Sequence, residues 1–122
     1  MSGFTQAYQQ TLLNYAFPTS GAGDCIAYST DGVTEFTSLA RTPIGTNGWA
    51  LATPADPSVK ANNTTLTSAQ ALGSGTLKFF AVFSAATGGV QKTDWKTLDV
   101  EKTVGSGDVV QWPAGQIFVT LD

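Results

Sequence analysis

From Gly23 to the C-terminus the sequence is cut into short β-branched and aromatic runs separated by turn-forming residues, and none of these runs keeps a helical period. That punctuation is the strongest constraint on the fold. Asp31-Gly32 and Asn47-Gly48 suit type I′ hairpins, whose two central residues both need positive φ. The pattern predicts strands over 24–30, 33–37, 38–42, 48–52, 64–68, 76–84, 95–102, 108–112 and 116–121. Thr53 to Asn63, with Pro54 and Pro57 and little apolar content, reads as a loop between sheet edges. Parallel sheets need helical crossovers, and the strand region has none. The expectation is a mainly β protein, an antiparallel β-sandwich of Ig-like or jelly-roll-like type.

Leu77 to Phe83 carries apolar residues on both alternating faces and is expected to be a central strand. In the last run Ile117, Val119 and Leu121 share a face with Phe118 opposite, which ties the C-terminus into a sheet. The leading segment is different. Phe4, Tyr8, Leu12 and Tyr15 fall on one helical face, and Pro18 disfavours helical geometry just before it. An N-terminal α-helix is expected over about 4–16, with Ser2 or Thr5 as N-cap. A length of 122 residues fits a single domain over 1–122, and 42% apolar residues suffice for a core.

Charge and composition exclude several functions. Net charge is −3, and the six basic residues (Arg41, Lys60, Lys78, Lys92, Lys96, Lys102) are scattered, so no nucleic-acid footprint is expected. No apolar run reaches the roughly 18 residues of a membrane span, and no signal peptide is evident, so a protein made in the cytoplasm with no membrane partner is expected. There is no histidine, which removes the usual triads and the commonest metal ligand. The one cysteine, Cys25, lies in a predicted strand and reads as a buried small hydrophobe. Asp94, Asp99 and Glu101 are the only plausible carboxylate set, but they are interleaved with Lys96 and Lys102 as on a solvated strand. The glycine pairs match neither a dinucleotide nor a phosphate loop. No catalytic residue, cofactor or metal site is expected.

A charged fraction of only 12% leaves a surface suited to burial between chains, since interface cores are depleted in charge. The candidate interface residues are Phe4, Tyr8, Leu12 and Tyr15 on the helix, with Trp49, Trp95 and Trp112. The tryptophans read either as core and interface residues or as a stacking surface for sugars. Asn62-Asn63-Thr64 is a formal glycosylation sequon, as is Asn63-Thr64-Thr65.

An ordered set of segments covers most of the chain: Leu12-Leu13-Asn14-Tyr15, Leu39-Ala40-Arg41-Thr42-Pro43, Ala61-Asn62-Asn63, Val82-Phe83-Ser84-Ala85-Ala86-Thr87-Gly88-Gly89, and the closing Gly107 to Asp122 with its Trp112-Pro113-Ala114-Gly115 turn. In these the chain resembles a family of small tailed-bacteriophage virion proteins, labelled tail-fibre-like, minor tail or capsid-decoration proteins. The resemblance implies a virion structural protein without catalytic residues. The leading expectation is a capsid decoration (cement) protein packing on the major capsid protein or other virion subunits, as a homo-oligomer such as a trimer. Its alternatives are a minor tail or tail-fibre-associated protein and a glycan- or receptor-binding module.

Overall fold

A computed structural model describes residues 5–18, 23–45, 48–52 and 58–121. The first element is helix α1, Gln6–Ala16, and Thr5 caps it by accepting the Tyr8 N–H at 3.2 Å. Eight strands follow: β1 Cys25–Ser29, β2 Thr42–Pro43, β3 Ser58–Ala61, β4 Leu66–Thr67, β5 Gly75–Phe83, β6 Lys96–Val104, β7 Gln111–Trp112 and β8 Phe118–Leu121. They form a four-stranded sheet in the order β2-β1-β5-β6 and two ribbons, β3-β8 and β4-β7, with every pair antiparallel. The mainly β, antiparallel, sandwich-like expectation with one N-terminal helix holds. The layer opposite the sheet consists of two short ribbons.

Residues of the sheet, both ribbons and the helix join one buried apolar cluster, including Leu13, Phe17, Ile26, Tyr28, Trp49, Leu66, Leu77, Phe80, Leu98, Trp112, Ile117 and Val119. β5 lies between β1 and β6, the central position its two apolar faces predict. β1 is buried at all five residues. The closing run pairs with β3 as Val119 opposite Lys60, so the last strand is indeed held in a sheet.

The predicted strands 64–68 and 108–112 shrink to β4 and β7, and three other predicted runs also shrink, two of them where side chains take up backbone N–H groups. Within 33–37 only Glu35 bridges to Ser29; the Asp31 carboxylate accepts from the N–H groups of Val33 and Thr34 at 2.9 Å, making a side-chain-capped turn. Run 38–42 reduces to β2, which extends to Pro43. Run 48–52 reduces to a single Trp49–Asn62 bridge. Asn47 lies outside the described residues. Glycine is required at 48 for another reason: a Cβ there would collide with the Ile44 carbonyl.

The predicted loop 53–63 conceals a strand. β3 turns Lys60 inward, fully buried, and leaves Val59 partly exposed. Lys60 Nζ donates to Asn14 Oδ1 of α1 at 2.7 Å, and burial lowers the ammonium pKa from its ordinary value. Asn14 Oδ1 also accepts the Ala52 N–H at 3.0 Å, and Gln10 Nε2 donates to the Ala52 carbonyl at 2.9 Å. The helix therefore docks on β3 and the 48–52 segment through amides as much as through Leu13 and Phe17.

Asn62, just beyond β3, closes the other end of the fold. Its Nδ2 lies 2.9, 3.1 and 3.1 Å from the carbonyls of Thr64, Trp112 and Pro113, and its Oδ1 accepts the N–H groups of Gly115 and Ile117, each at 3.0 Å. The side chain is buried with its hydrogen-bonding capacity used, so this sequon asparagine presents no amide to a glycan. Asn62→Ala is expected to cost about 3 kcal/mol or more, because it strands several buried backbone groups at once. Urea unfolding measures it; a loss below about 1 kcal/mol contradicts the assignment.

The sheet is joined to the β4-β7 ribbon through Tyr28. Its phenol oxygen accepts the Trp112 Nε1–H at 3.0 Å and pairs with the Thr42 hydroxyl, and the Tyr28 and Trp112 rings stack at 6.0 Å. Burial pushes the phenol pKa up from 10.0 to about 12. The folded state therefore keeps this proton after the unfolded chain has lost it, and stability falls as pH rises from 10 to 12. The loss expected from this group is about 3 kcal/mol. Urea titrations across that range should show it in the native protein and a flatter profile in Tyr28→Phe.

Candidate interaction surfaces

Helix α1 turns Gln9 and Leu13 into the protein and Tyr8, Thr11 and Tyr15 outward. Tyr15 is 87% exposed and Tyr8 51%, with Leu12 half-buried between them. The predicted helical face exists, and it is the outer one; Phe4 lies outside the described residues. Sequence periodicity locates this apolar stripe, but the inward stripe holds Gln9, Gln10 and Asn14, polar residues that periodicity assigns to solvent.

Beside the C-terminal end of α1, two clefts flank Lys92. One, of about 370 Å³, runs between Leu12, Leu13 and the Thr93–Lys96 segment; the other, of about 610 Å³, runs from Tyr15 to Val90. Val90 is exposed and extends the apolar surface. Lys92 is anchored beneath them: Nζ donates to the buried Asp24 carboxylate at 2.6 Å and to the Ala16 carbonyl at 2.9 Å, and lies 5.5 Å from the Phe17 ring centre. Asp24 also accepts the Trp49 Nε1–H at 3.1 Å. This ion pair, with its carboxylate buried and its ammonium partly exposed, fixes the helix end, Trp49 and the start of β1 together.

The tryptophans correct the sequence reading. Trp49 and Trp112 are each 1% exposed, so neither is an interface or sugar-stacking residue. Each indole satisfies its one donor inside the core, Trp49 on Asp24 and Trp112 on Tyr28, and a buried indole with its N–H bonded is held in place. Trp95 alone is partly accessible, packed against Phe83 with ring centres 6.1 Å apart. The three candidate rings are not brought together on one surface.

Asp94, Asp99 and Glu101 are exposed around β6, as a solvated face requires. Among the described residues no group of three or more His, Cys, Asp or Glu side chains is placed to hold a metal ion. Cys25 is buried, and desolvation raises its thiol pKa, which disfavours the reactive thiolate. A residue that sequence reading passed over is Arg41. It makes a two-pronged pair with Glu35 at 2.9 and 3.0 Å, donates to the carbonyls of Ala85 and Gly88, and sits 3.9 Å over the Phe83 ring. Its fork locks the 84–90 loop, next to exposed Val90, onto the sheet.

This division between outer face and core predicts opposite outcomes for two aromatic truncations. Tyr15→Ser should change unfolding free energy by less than about 0.5 kcal/mol, whereas Trp49→Ala should cost about 3 to 5 kcal/mol through its cavity and the stranded Asp24 carboxylate. Denaturant melts of both variants decide it, and a large loss in Tyr15→Ser would show that the outer face is structural.

Compared with known protein families, residues 5–120 match the family described as Podophage GP4 fiber I protein gp80. No curated protein matches the chain. The match spans α1, all three sheets and the closing turn. The chain therefore belongs to the Podophage GP4 fiber I protein gp80 family and is a structural component of a tailed-phage virion.

Proposed function

We propose that the protein is a fibre- or tail-associated virion subunit that works by packing against neighbouring subunits and performs no chemistry of its own. The observation that carries this reading is the family match over residues 5–120, whose description names a fibre protein. The surface is consistent with it. An uncharged helix lays Tyr8, Leu12 and Tyr15 outward beside two clefts, and aromatic residues on a charge-poor face are what interface cores favour. Buried Asp24, Lys60 and Tyr28 are engaged in holding the fold. The alternative expected from sequence, a cement protein on the capsid lattice, draws no specific support from a fibre description. The glycan-binding alternative loses its motive with Trp49 and Trp112 in the core.

Quantitative mass spectrometry of separated heads and tails tests the proposal. The protein is expected in the tail fraction, at a copy number that is a small multiple of the tail symmetry. Recovery with the heads at a multiplicity matching the capsid lattice would replace it with the decoration reading.

A further inference from the structure

Among the described residues β6 is the long unpaired edge of the main sheet. After Val104 the chain turns through 105–107, where Gly107 has φ 91° and the Asp108 carboxylate accepts the Gly105 N–H at 2.7 Å, and returns along 108–111. The returning arm does not pair with β6. It pairs instead with the 67–71 segment: the Asp108 carbonyl accepts from Ala71 N–H at 2.8 Å and the Val110 carbonyl from Ser68 N–H at 2.9 Å. In extended backbone successive groups point to opposite sides, so Val109 and Gln111 direct theirs back toward β6. Between the arms lies a cleft of about 640 Å³ lined by residues 101–104 and 108–111 alone.

The two walls share one pleat. Buried Val104 and Val110 and half-buried Lys102 form a floor, with the Lys102 ammonium 5.4 Å from the ring centre of the buried Trp112 behind it; Glu101, Thr103, Val109 and Gln111 are exposed along the rim. Two strand edges in matching pleat with a gap between them have the form of a sheet lacking one strand. We infer that this cleft is a strand-addition site, filled in the particle by an extended segment of a different virion subunit, which would join β6 to β7 and make one continuous sheet. The inference rests on the virion-packing function proposed above.

Charge selects the occupant. The rim carries the Glu101 and Asp108 carboxylates, while the Lys102 ammonium is turned onto Trp112, so the segment that fits alternates apolar residues toward the floor and carries a basic residue at the rim. A second copy is a poor fit. Antiparallel β6–β6 pairing centred on Asp99 sets Lys96 against Lys102, and pairing centred on Val100 sets Asp99 against Glu101, like charges in both cases. The opposite edge of the sheet, β2, is two residues long and ends in Pro43, which has no N–H.

Hydrogen–deuterium exchange of the intact protein, isolated and in purified tails, tests the inference on peptides spanning 101–104 and 108–111. Exchange there should slow at least tenfold in the tails. Unchanged exchange in tails that contain the protein overturns the strand-addition site and leaves the virion assignment standing; a particle without the protein overturns both. Val109→Pro, which removes an N–H facing the cleft, should keep the native melting temperature and lower incorporation at least tenfold, with Val109→Ala incorporated normally. Normal incorporation of Val109→Pro overturns the inference, as does photo-crosslinking from benzoylphenylalanine at position 109 to a second copy of this chain.

Discussion

The closing segment of the fold depends on the buried side chain of Asn62. A short β protein whose second layer is two ribbons of two and four residue pairs has too little ladder to hold its closing segment by backbone pairing alone. One buried amide makes up the shortfall, binding carbonyls of residues 64, 112 and 113 and N–H groups of residues 115 and 117. That fixes the Trp112-Pro113-Ala114-Gly115 turn, and with it the place of Trp112. Trp112 in turn donates to Tyr28, which joins the ribbon to β1 and β2. A chain of polar bonds thus runs from the end of β3 into the main sheet. In a low-dielectric core such a chain is stabilising only when each member is satisfied, so its geometry is over-determined.

A second polar system does the same for the helix. Asp24, Lys92 and Trp49 fix its C-terminal end, and Asn14, Lys60 and the backbone of Ala52 fix its middle. The inner side of α1 therefore sets Gln9, Gln10 and Asn14 beside Leu13, and the outer side is where its tyrosines lie. For an ordinary surface helix the apolar stripe faces the core. Here Leu13 faces the core but Tyr8 and Tyr15 lie outward, which is intelligible if the outer stripe meets another chain.

Sequence and structure agree where hydrophobic alternation decides. The β1, β5, β6 and β8 runs, the helix and the antiparallel class were legible because each strand follows the two-residue period or is apolar throughout. The reading failed where polar side chains take core positions. β3 was hidden because its inward residue is Lys60 and its outward one Val59, the inverse of the expected pattern. The 33–37 run looked like a strand, but Asp31 captures its N–H groups. Trp49 and Trp112 stayed candidates for core, interface or sugar-stacking positions because nothing local in the sequence announces Asp24 or Tyr28 as partners for their indoles. The helical stripe was placed correctly, and the sequence carried no sign that the residues inside it would be glutamines and an asparagine. The virion setting was legible through the ordered segments, which include the Asn62 region and the closing turn that Asn62 holds.

What the molecule offers to partners follows from what it keeps inside. Its buried carboxylate, ammonium and indoles are committed to internal bonds, and its accessible features are an aromatic helix face, the clefts around Lys92 and an open sheet edge. In the proposed function each serves as a packing surface. A cryo-EM reconstruction of the tail at side-chain resolution tests this account most directly: the predicted result is density for this fold within the fibre or tail, with the Tyr8–Leu12–Tyr15 face covered by a neighbouring subunit and the Asn62 hub intact. Density showing that face open to solvent in every copy would contradict it.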